Sequence, residues 1–446
     1  MKTDETGKTS RRTFVKQSTL LAGGLVAAPL LSNAGYFNSV DDTIKVALIG
    51  CGGRGTGAAM QALLTKQNVK LVAMADAFRD RLDNCYNLLT SEENEGGNVK
   101  ARVNVPESNK FVGFDAYTKA IPLADVVILT TPPGFRPIHF AEAINKGKHV
   151  FMEKPIATDP AGIKKVLEVA EIAKQKKLNV VVGLQRHYQN SYRELHKRVK
   201  DGMIGEITSG QVWWNNDGVW VNLRTPAQTE MEYQMRNWYY FNWLCGDHIN
   251  EQHIHNLDVM NWFKGSYPVK AQGMGGRQVR TGKEYGEIYD HHYVEYQYAD
   301  GSILNSQCRH IKGTYAKVDE MLVGTKGTVF CNDAQISHKG KVLYQYAKAA
   351  ENEPDPYQVE HDELFAALAK GEYKFADADN GAKSTMTAVM GRMATYSGQV
   401  IEWDKALNSG LSIMPTQFAW DAKPPTLPDV NGFYAIATPG VTKYLL

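Results

Sequence analysis

The chain has 446 residues, of which 43% are hydrophobic and 22% are charged, with a formal net charge of +2. The first 34 residues hold five basic against two acidic side chains, so the remainder has no basic surface that would favour nucleic acid or anionic membranes. Five scattered cysteines show neither metal-ligand spacing nor a disulfide framework.

The beginning of the chain has the three regions of a twin-arginine export signal. Arg11 and Arg12 lie in a polar, basic start, an apolar run follows from Leu20 to Leu31, and residues 32–34 offer a small-residue cleavage site. That run is much shorter than the ~20 residues that span a bilayer. We therefore expect a signal peptide over 1–34, a periplasmic or exported protein, and no membrane insertion after signal cleavage. The alternative is a chance basic start on a cytoplasmic protein.

Alternating strand and helix patterns predict a dinucleotide-binding domain over residues 43–165, with 178–186 as its last strand. Its continuous apolar strands are typical of a sheet that is buried on both faces, which favours an α/β Rossmann-like, doubly wound parallel sheet. From residue 187 to 420, period-two patterns predict an α+β domain with a large, mostly antiparallel open sheet. Residues 421–446 read as an irregular tail.

A glycine-rich turn follows the first strand of the dinucleotide-binding domain. Gly50, Gly52 and Gly55 form G-x-G-x-x-G between a strand and a helix, so a pyrophosphate can approach the helix N-terminus. Asp76 ends the next strand, where a carboxylate can bind the adenosine ribose and repel a 2′-phosphate. We predict NAD as the cofactor. NADP is the alternative cofactor, because Arg79 lies nearby in the sequence. The alternative is a turn that binds no dinucleotide.

Further residues of the predicted cofactor site lie in this turn and at the carboxyl ends of later strands, where ligands of open α/β sheets bind. They are Gly53, Arg54, Thr130, Thr131, Pro132, His139, Glu153 and Lys154. Pro155 holds Lys154 extended at its strand end, although most lysines at such positions are ordinary surface residues.

A helix is predicted over Gly246–Trp262, and it places Glu251, His255 and Asp258 on one face. Its acidic and histidine side chains are also compatible with a metal site or with a structural role in the core. A metal bound by Asp247, His248, Glu251 and His255 is one alternative, although we predict no metal because a nicotinamide already supplies the electrophile. His248 and His253 are as consistent with core histidines as with function. Several aromatic residues nearby fit a sugar platform, a core or an interface, namely Trp213, Trp214, Trp220, Trp238, Tyr239, Tyr240 and Trp243.

The order of these motifs resembles the Gfo/Idh/MocA oxidoreductases over roughly Thr43 to Val400. The resemblance implies a nicotinamide dinucleotide in the first domain, a sugar or polyol against the second, and a homo-oligomer formed through the C-terminal sheet. It implies Lys154 and His255 as catalytic residues, with Glu251 standing where Asp is usual in the family. The substrate-binding residues that it implies are Gln185, Arg186, Trp238 and Asp258.

Hydride transfer from an alcohol needs a base for the hydroxyl proton, and His255 suits that role near neutral pH, with Lys154 polarising or sharing the proton. We therefore predict an exported NAD(P)-dependent oxidoreductase that acts on a ring hydroxyl of a sugar, polyol or glycoside. A tightly bound cofactor is expected, because no nicotinamide pool exists outside the cytoplasm. One alternative is a redox-neutral, NAD-dependent glycosidase that works by oxidation, elimination, hydration and re-reduction. Another is a non-catalytic sugar-binding protein with a retained Rossmann domain.

Overall fold

The computed structural model describes residues 42–92, 96–347 and 353–443. The predicted export signal lies outside these ranges. Within them, no helix is both long enough and apolar enough to cross a bilayer.

The first sheet has six parallel strands: β1 (Ile44–Ile49), β2 (Val69–Asp76), β3 (Lys110–Val112), β4 (Val126–Leu129), β5 (His149–Met152) and β6 (Val180–Val182). They lie in the order β3-β2-β1-β4-β5-β6. The order reverses between β1 and β4, which is where ligands bind in doubly wound sheets. The predicted Rossmann-like sheet is confirmed.

Helices cover both faces of this sheet, which is why its central strands are apolar throughout. They are α1 (Gly53–Leu64), α2 (Arg79–Thr90), α3 (Ala116–Ala120), α4 (Arg136–Asn145) and α5 (Pro160–Gln175), and α6 (Asn190–Lys200) follows β6. All four residues of β4 and all four of β5 are buried.

The second sheet has nine strands: β7 (Ile207–Asn216), β8 (Lys270–Gly276), β9 (His291–Gln297), β10 (Ile303–His310), β11 (Lys317–Gly324), β12 (Thr328–Phe330), β13 (Gln335–His338), β14 (Lys341–Gln345) and β15 (Ile401–Glu402). Their order is β14-β13-β12-β11-β7-β10-β9-β8-β15. Strands β7 and β10 pair in parallel, and the other neighbouring strands pair antiparallel. The predicted mostly antiparallel sheet is confirmed.

Four helices connect β7 to β8: α7 (Glu230–Arg236), α8 (Asn242–Cys245), α9 (His248–Glu251) and α10 (Ile254–Lys264). The single helix predicted over Gly246–Trp262 is therefore wrong, because α9 and α10 are separate. The Lys154 ammonium donates to the Glu251 carbonyl, and the His255 N–H bonds to Gln252 instead of continuing an α-helical ladder.

The last helices return to the first sheet. They are α11 (Pro356–Ala369), α12 (Ala378–Ser397) and α13 (Trp403–Leu407). Helix α11 packs on α1, while α12 packs on both α5 and β8. The two sheets therefore share one continuous apolar core, and α11 and α12 bridge the domain boundary that the sequence places at residue 187.

The tail from residue 421 to 443 forms no helix or strand, in line with its predicted irregularity. It is nevertheless held by specific contacts. The Tyr289 hydroxyl donates to the Ala437 carbonyl at 2.8 Å, and the Gly440 N–H donates to the Ser397 carbonyl at 2.8 Å.

Candidate active site

The turn after β1 requires glycine at two positions. Gly50 has φ +99°, and a Cβ there would lie 2.6 Å from the Thr131 nitrogen. A Cβ on Gly55 would lie 1.9 Å from the Gly50 carbonyl oxygen, which already accepts the Thr130 hydroxyl at 2.7 Å. The turn is thus fixed against β4, and α1 begins beside it with unused backbone N–H groups, as dinucleotide binding needs.

A cavity of about 440 Å³ opens above this turn. We name it the cofactor cavity. The predicted cofactor residues that line it are Gly50, Gly52, Gly53, Arg54, Gly55, Asp76, Thr130, Thr131, Pro132 and His139. Trp238, which the resemblance assigns to the substrate, lines this same cavity. A Cβ on Gly52 or Gly53 would meet no atom within 4 Å, so the backbone here is open to a ligand.

The Asp76 carboxylate is fixed at the edge of the cofactor cavity. It accepts the Cys51 N–H at 2.6 Å and the Phe78 N–H at 2.8 Å. Burial raises the pKa of Asp76, and these two N–H donors oppose that rise. Arg79, which the sequence suggested as a contact for NADP, pairs instead with Glu107 at 2.9 Å and does not line the cavity.

One wall of the cofactor cavity comes from the second domain. Residues 217–241, which connect β7 to α8 and which we name the cover segment, contribute Trp220, Asn222, Met235, Arg236 and Trp238. Arg236 donates to both carboxylate oxygens of Asp80 at 3.2 Å, and its guanidinium lies 4.0 Å from the Phe78 ring centre. The sequence does not reveal this wall, because Asp80 and Arg236 are 156 positions apart.

His139 lies inside the cofactor cavity as a neutral side chain. Its Nδ1 is 3.2 Å from the Thr131 hydroxyl, and its ring packs between Tyr117 and Phe135. Burial, followed by the charge of Arg136, lowers the pKa of His139 to about 3.

Lys154 and Glu251 form a charged pair at the junction of the two domains. The Lys154 ammonium donates to the Glu251 carbonyl at 2.6 Å and to its carboxylate at 2.9 Å. Their side chains are 13% and 15% exposed. Lys154 follows β5 and precedes Pro155 across a cis peptide bond, and Glu251 ends α9.

His255, in the first turn of α10, completes what we name the chemical centre: Lys154, Glu251 and His255. It is 5% exposed, its Nδ1 has no hydrogen-bond partner in the described structure, and the Trp214 ring stacks at 5.9 Å. Burial, followed by the charges of Lys154 and Arg186, holds the pKa of His255 well below its ordinary value. The imidazole is therefore neutral, and its pKa in the free protein is lower than the near-neutral value that the sequence suggested.

Arg54 and Glu153, both predicted to bind the cofactor, are paired with each other. The Arg54 guanidinium donates to Glu153 at 2.5 Å and lies 3.6 Å from Glu360. The sequence did not indicate Glu360, which is buried, and burial with the charge of Glu153 raises its pKa. This cluster ties the glycine turn to the strand end that carries Lys154, so Glu153 supports the site without lining the cofactor cavity.

Gln185 and Arg186 line a second cavity, of about 310 Å³. The Gln185 side-chain carbonyl has no partner in the described structure. Arg186 forms a short, buried ion pair with Glu320, which also accepts the Tyr192 hydroxyl at 2.8 Å. The charge of Arg186 also contributes to the low pKa of His255.

Asp258 lies apart from both cavities. Its carboxylate contacts His187 at 2.7 Å, the Ser384 hydroxyl at 2.7 Å and the Asn380 amide at 3.0 Å. The structure therefore does not bring Asp258 to a ligand-binding surface. The family resemblance implied that Asp258 binds the substrate, whereas here its carboxylate is taken up by the side chains of His187 and of Asn380 and Ser384 in α12.

The alternative metal-ligand set also fails to assemble, because Glu251 is engaged by Lys154. His253 is a core histidine with partners on both nitrogens, the Ser306 hydroxyl at 2.7 Å and the Asn256 amide oxygen at 3.2 Å.

Comparison with known proteins agrees with this architecture. The Gfo/Idh/MocA oxidoreductase family with an NAD-binding Rossmann fold matches residues 44–184, and the Gfo/Idh/MocA C-terminal domain matches residues 192–330. The chain is similar to inositol 2-dehydrogenase of Pseudomonas fluorescens, with 26% identity over 263 residues that cover 59% of this chain and 66% of that protein. It is also similar to 2,7-anhydro-N-acetylneuraminate hydratase of Escherichia coli, with 25% identity over 181 residues, 41% of this chain and 44% of that protein.

The chain thus spans about two thirds of the first relative's length and under half of the second's. Among solved structures, the fold is similar to that of scyllo-inositol dehydrogenase from Lactobacillus casei with bound NAD(H) and scyllo-inositol. The TM-score is 0.60 at 19% identity, and the match covers 81% of this chain and all of that one.

Proposed function

This chain belongs to the Gfo/Idh/MocA family of oxidoreductases, and from that premise we propose that it is an NAD-dependent dehydrogenase of a sugar, polyol or glycoside. The observation that carries the proposal is the chemical centre. A neutral, buried imidazole with a free Nδ1 lies in the field of an ammonium group that a carboxylate holds in place. Removal of a proton from an alcohol requires a positioned base, and we assign that role to His255, although its pKa in the free protein lies below the neutral range that the sequence suggested.

In the proposed reaction, His255 accepts the hydroxyl proton of the substrate while the carbon–hydrogen bond of the same carbon breaks. Bound NAD⁺ supplies the acceptor for the hydride. The Lys154 ammonium donates a hydrogen bond to the hydroxyl oxygen and stabilises the negative charge that develops there. Glu251 accepts a hydrogen bond from the Lys154 ammonium at 2.9 Å and so fixes its position.

The cofactor cavity favours NAD over NADP and supports slow release. Asp76 offers a fixed carboxylate to the ribose hydroxyls and repels a 2′-phosphate. The cover segment forms one wall, and the contacts of Arg236 with Asp80 and Phe78 hold that wall in place, which would slow release of a bound dinucleotide. A tightly bound cofactor is the expected result.

Export in the folded state follows from the predicted leader and suits such a protein. Outside the cytoplasm a released cofactor is lost, so the proposed enzyme carries its dinucleotide and regenerates it on the protein. Either a second substrate or the first substrate takes the hydride back. We also propose a homo-oligomer through the open sheet, where Met274 of β8 and Tyr293 of β9 are 74% and 40% exposed.

A redox-neutral glycosidase is the second candidate. The similarity to a hydratase favours it, because addition of water to an unsaturated sugar is one step of that sequence. The non-catalytic alternative is disfavoured, since sugar binding alone needs neither a neutral buried base nor a buried ammonium beside it.

The test uses full-length protein purified without added nicotinamide. We expect near-stoichiometric NAD that is released only on denaturation, and turnover with no free NAD. Incubation with a panel of inositols, aldoses and glycosides, followed by reduced-nicotinamide absorbance and product mass, separates the two chemistries. Net oxidation gives a keto product with a mass lower by two hydrogens, whereas the redox-neutral route cleaves glycosides without net absorbance change. Protein that binds no dinucleotide under any condition contradicts the proposal.

A further inference from the structure

Three side chains converge in the core beside the chemical centre, at the start of α9. Asp247, His248 and His292 each present a ligand atom, and these atoms all lie within 4.8 Å of one another. The three residues are 0%, 0% and 2% exposed. Buried charges and imidazoles of this kind need partners, and the partners that they have here are incomplete.

The hydrogen bonds around His292 leave a lone pair facing a carboxylate. The Thr395 hydroxyl donates back to main-chain carbonyls of its own helix, at 3.1 Å to Gly391, so it accepts the Nδ1–H of His292 at 2.9 Å. In a neutral imidazole, Nε2 is then the unprotonated nitrogen. It lies 3.2 Å from Asp247 Oδ2 without hydrogen-bond alignment.

If His292 Nε2 carried a proton, Asp247 Oδ2 would have little capacity left to accept a hydrogen bond from it. Asp247 Oδ2 already accepts the Tyr396 hydroxyl at 2.5 Å and the Tyr289 N–H at 3.0 Å, which uses both of its lone pairs. Oδ1 accepts only the N–H of His248 and keeps one lone pair. A metal cation placed between His292 and Asp247 would satisfy the electron pairs that these hydrogen bonds leave over.

His248 adds a second nitrogen donor. Its Nδ1 lies 2.7 Å from Asp247 Oδ1 without hydrogen-bond alignment, and its Nε2 has no partner in the described structure. His310 stacks on the ring at 4.3 Å, but its own Nε2 donates to the Gln252 side chain at 2.6 Å and cannot supply a proton. Two imidazoles and one carboxylate oxygen are therefore left pointing at one another.

We propose that Asp247, His248 and His292 bind a zinc ion. Two imidazole nitrogens and a carboxylate oxygen are donors that Zn²⁺ prefers, in the small coordination number that a buried site allows. The Nδ1–H of His292 bonded to Thr395 is the outer contact that orients a metal-bound histidine. This ligand set differs from the one considered from the sequence, since Glu251 and His255 are not part of it.

The ion would be structural and would act on the chemical centre through α9. Asp247 precedes this helix with φ +71°, in the left-handed region that favours glycine, and Glu251 ends it by holding Lys154. The zinc would fasten the beginning of α9 to β9 and thus fix the end that positions Lys154.

The test measures metal content and coordination in the full-length protein. We expect about one zinc per chain by plasma mass spectrometry, and after replacement with Co²⁺ the visible absorption of four-coordinate cobalt. His292→Ala should abolish both, and His248→Gln should at least weaken Co²⁺ binding tenfold. The control is His291→Ala, since His291 is the next residue, is 38% exposed and pairs with Asp290 on the other side of β9.

Bound dinucleotide, read in the same samples, reports whether a variant is folded. Wild-type protein that keeps its dinucleotide yet holds no zinc, and shows no cobalt spectrum when Co²⁺ is added, overturns the proposal. Equal metal content in the His291→Ala and His292→Ala variants overturns it as well, because the ion would then bind elsewhere. Neither result bears on the proposed hydride transfer, which rests on Lys154 and His255.

Discussion

The cofactor cavity and the chemical centre are built in different ways. The cofactor cavity is lined mostly by residues of the first domain between Ile49 and His139, where the absence of side chains on its glycines leaves the backbone open to a ligand, and the cover segment adds one wall. The chemical centre is formed by side chains that meet across 97 positions of sequence, as Lys154 and Glu251 do. The glycine turn of the first depends on local turn chemistry, whereas the chemical centre, like the wall formed by the cover segment, depends on the packing of both domains.

The sharpest way to test this difference is to remove a side chain from the chemical centre. Lys154→Ala and His255→Ala should each lower turnover by on the order of 10²–10⁴-fold, because the proton then has no positioned acceptor or the oxygen no ammonium. Bound dinucleotide should stay. The measurement is the rate of product formation on the substrate found by the panel.

Lys146→Ala is the matched control, since Lys146 forms an exposed pair with Glu142 at 3.7 Å. It should leave the rate within twofold. Near-normal turnover in either variant of the chemical centre would remove that residue from the mechanism.

Acid should destabilise the protein through two buried histidines of the first domain, one in the cofactor cavity and one at the start of β5. Burial lowers the pKa of His139 to about 3 and the pKa of His149 to about 4. The unfolded chain takes up these protons below about pH 6.5, so the unfolded state binds more protons and stability falls as pH falls from about 6.5 to 4. Each histidine contributes about 1.4 kcal/mol per pH unit in this range.

Urea unfolding at pH 7.5 and 5.5 measures this loss. His139→Gln and His149→Gln should each reduce the difference between the two pH values by about 1 kcal/mol. His338→Gln, on the partly exposed strand β13, should not. A loss that is equal in all four proteins would mean that other groups cause the acid lability.

A single side chain of the cofactor cavity should have a smaller effect. Asp76→Ser should weaken the binding of NAD by about 10- to 100-fold, because hydrogen bonds to a charged group contribute about 1.5–3 kcal/mol each. The affinity for NADP should fall less, because the substitution also removes the repulsion between the Asp76 carboxylate and the 2′-phosphate. Calorimetric titration of dinucleotide-free protein measures both, with Asp115→Ser as the control because Asp115 pairs only with the exposed Lys119.

Loss of a contact in the cover segment should have the smallest effect, and this effect should be on the rate of dinucleotide release. Arg236→Ala should speed dinucleotide release about 3- to 10-fold, as expected when a partly exposed ion pair and a cation–π contact are lost. Release is followed by nicotinamide fluorescence after mixing with excess competing nucleotide. Arg79→Ala is the control, since Arg79 pairs with Glu107 away from the cavity. Equal release from both variants would show that the cover segment does not hold the dinucleotide.

Prediction from sequence succeeded where the signal is local. The glycine spacing and Asp76 identified the cofactor cavity, and hydrophobic periodicity identified both sheets, because each of these depends on neighbours along the chain. The strand end at Lys154 and the histidine at 255 were located through the family resemblance, and the structure brings them together.

Prediction from sequence failed where the local structure depends on a residue that is distant along the chain. The break between α9 and α10 depends on Lys154 taking the Glu251 carbonyl, and no pattern within Gly246–Trp262 reveals that competition. Glu320 pairs with Arg186, and the buried Glu360 lies 3.6 Å from Arg54, yet in the sequence both resemble any other acidic residue. Buried ion pairs of this kind have no periodicity, so they appear only after the fold is known.

The tail after α13 is synthesised after the other parts of the cofactor cavity. Phe78 and Phe114 line the cofactor cavity, and the Trp420 ring packs behind them at 5.0 and 4.5 Å. At about 5–20 residues per second, a ribosome needs on the order of 10–40 s to extend the chain from Trp238 to Trp420. A nascent protein therefore exposes its glycine turn and its cover segment well before the backing of the cavity exists. Under the proposed function, firm retention of a dinucleotide is therefore expected only after residue 420 has been made.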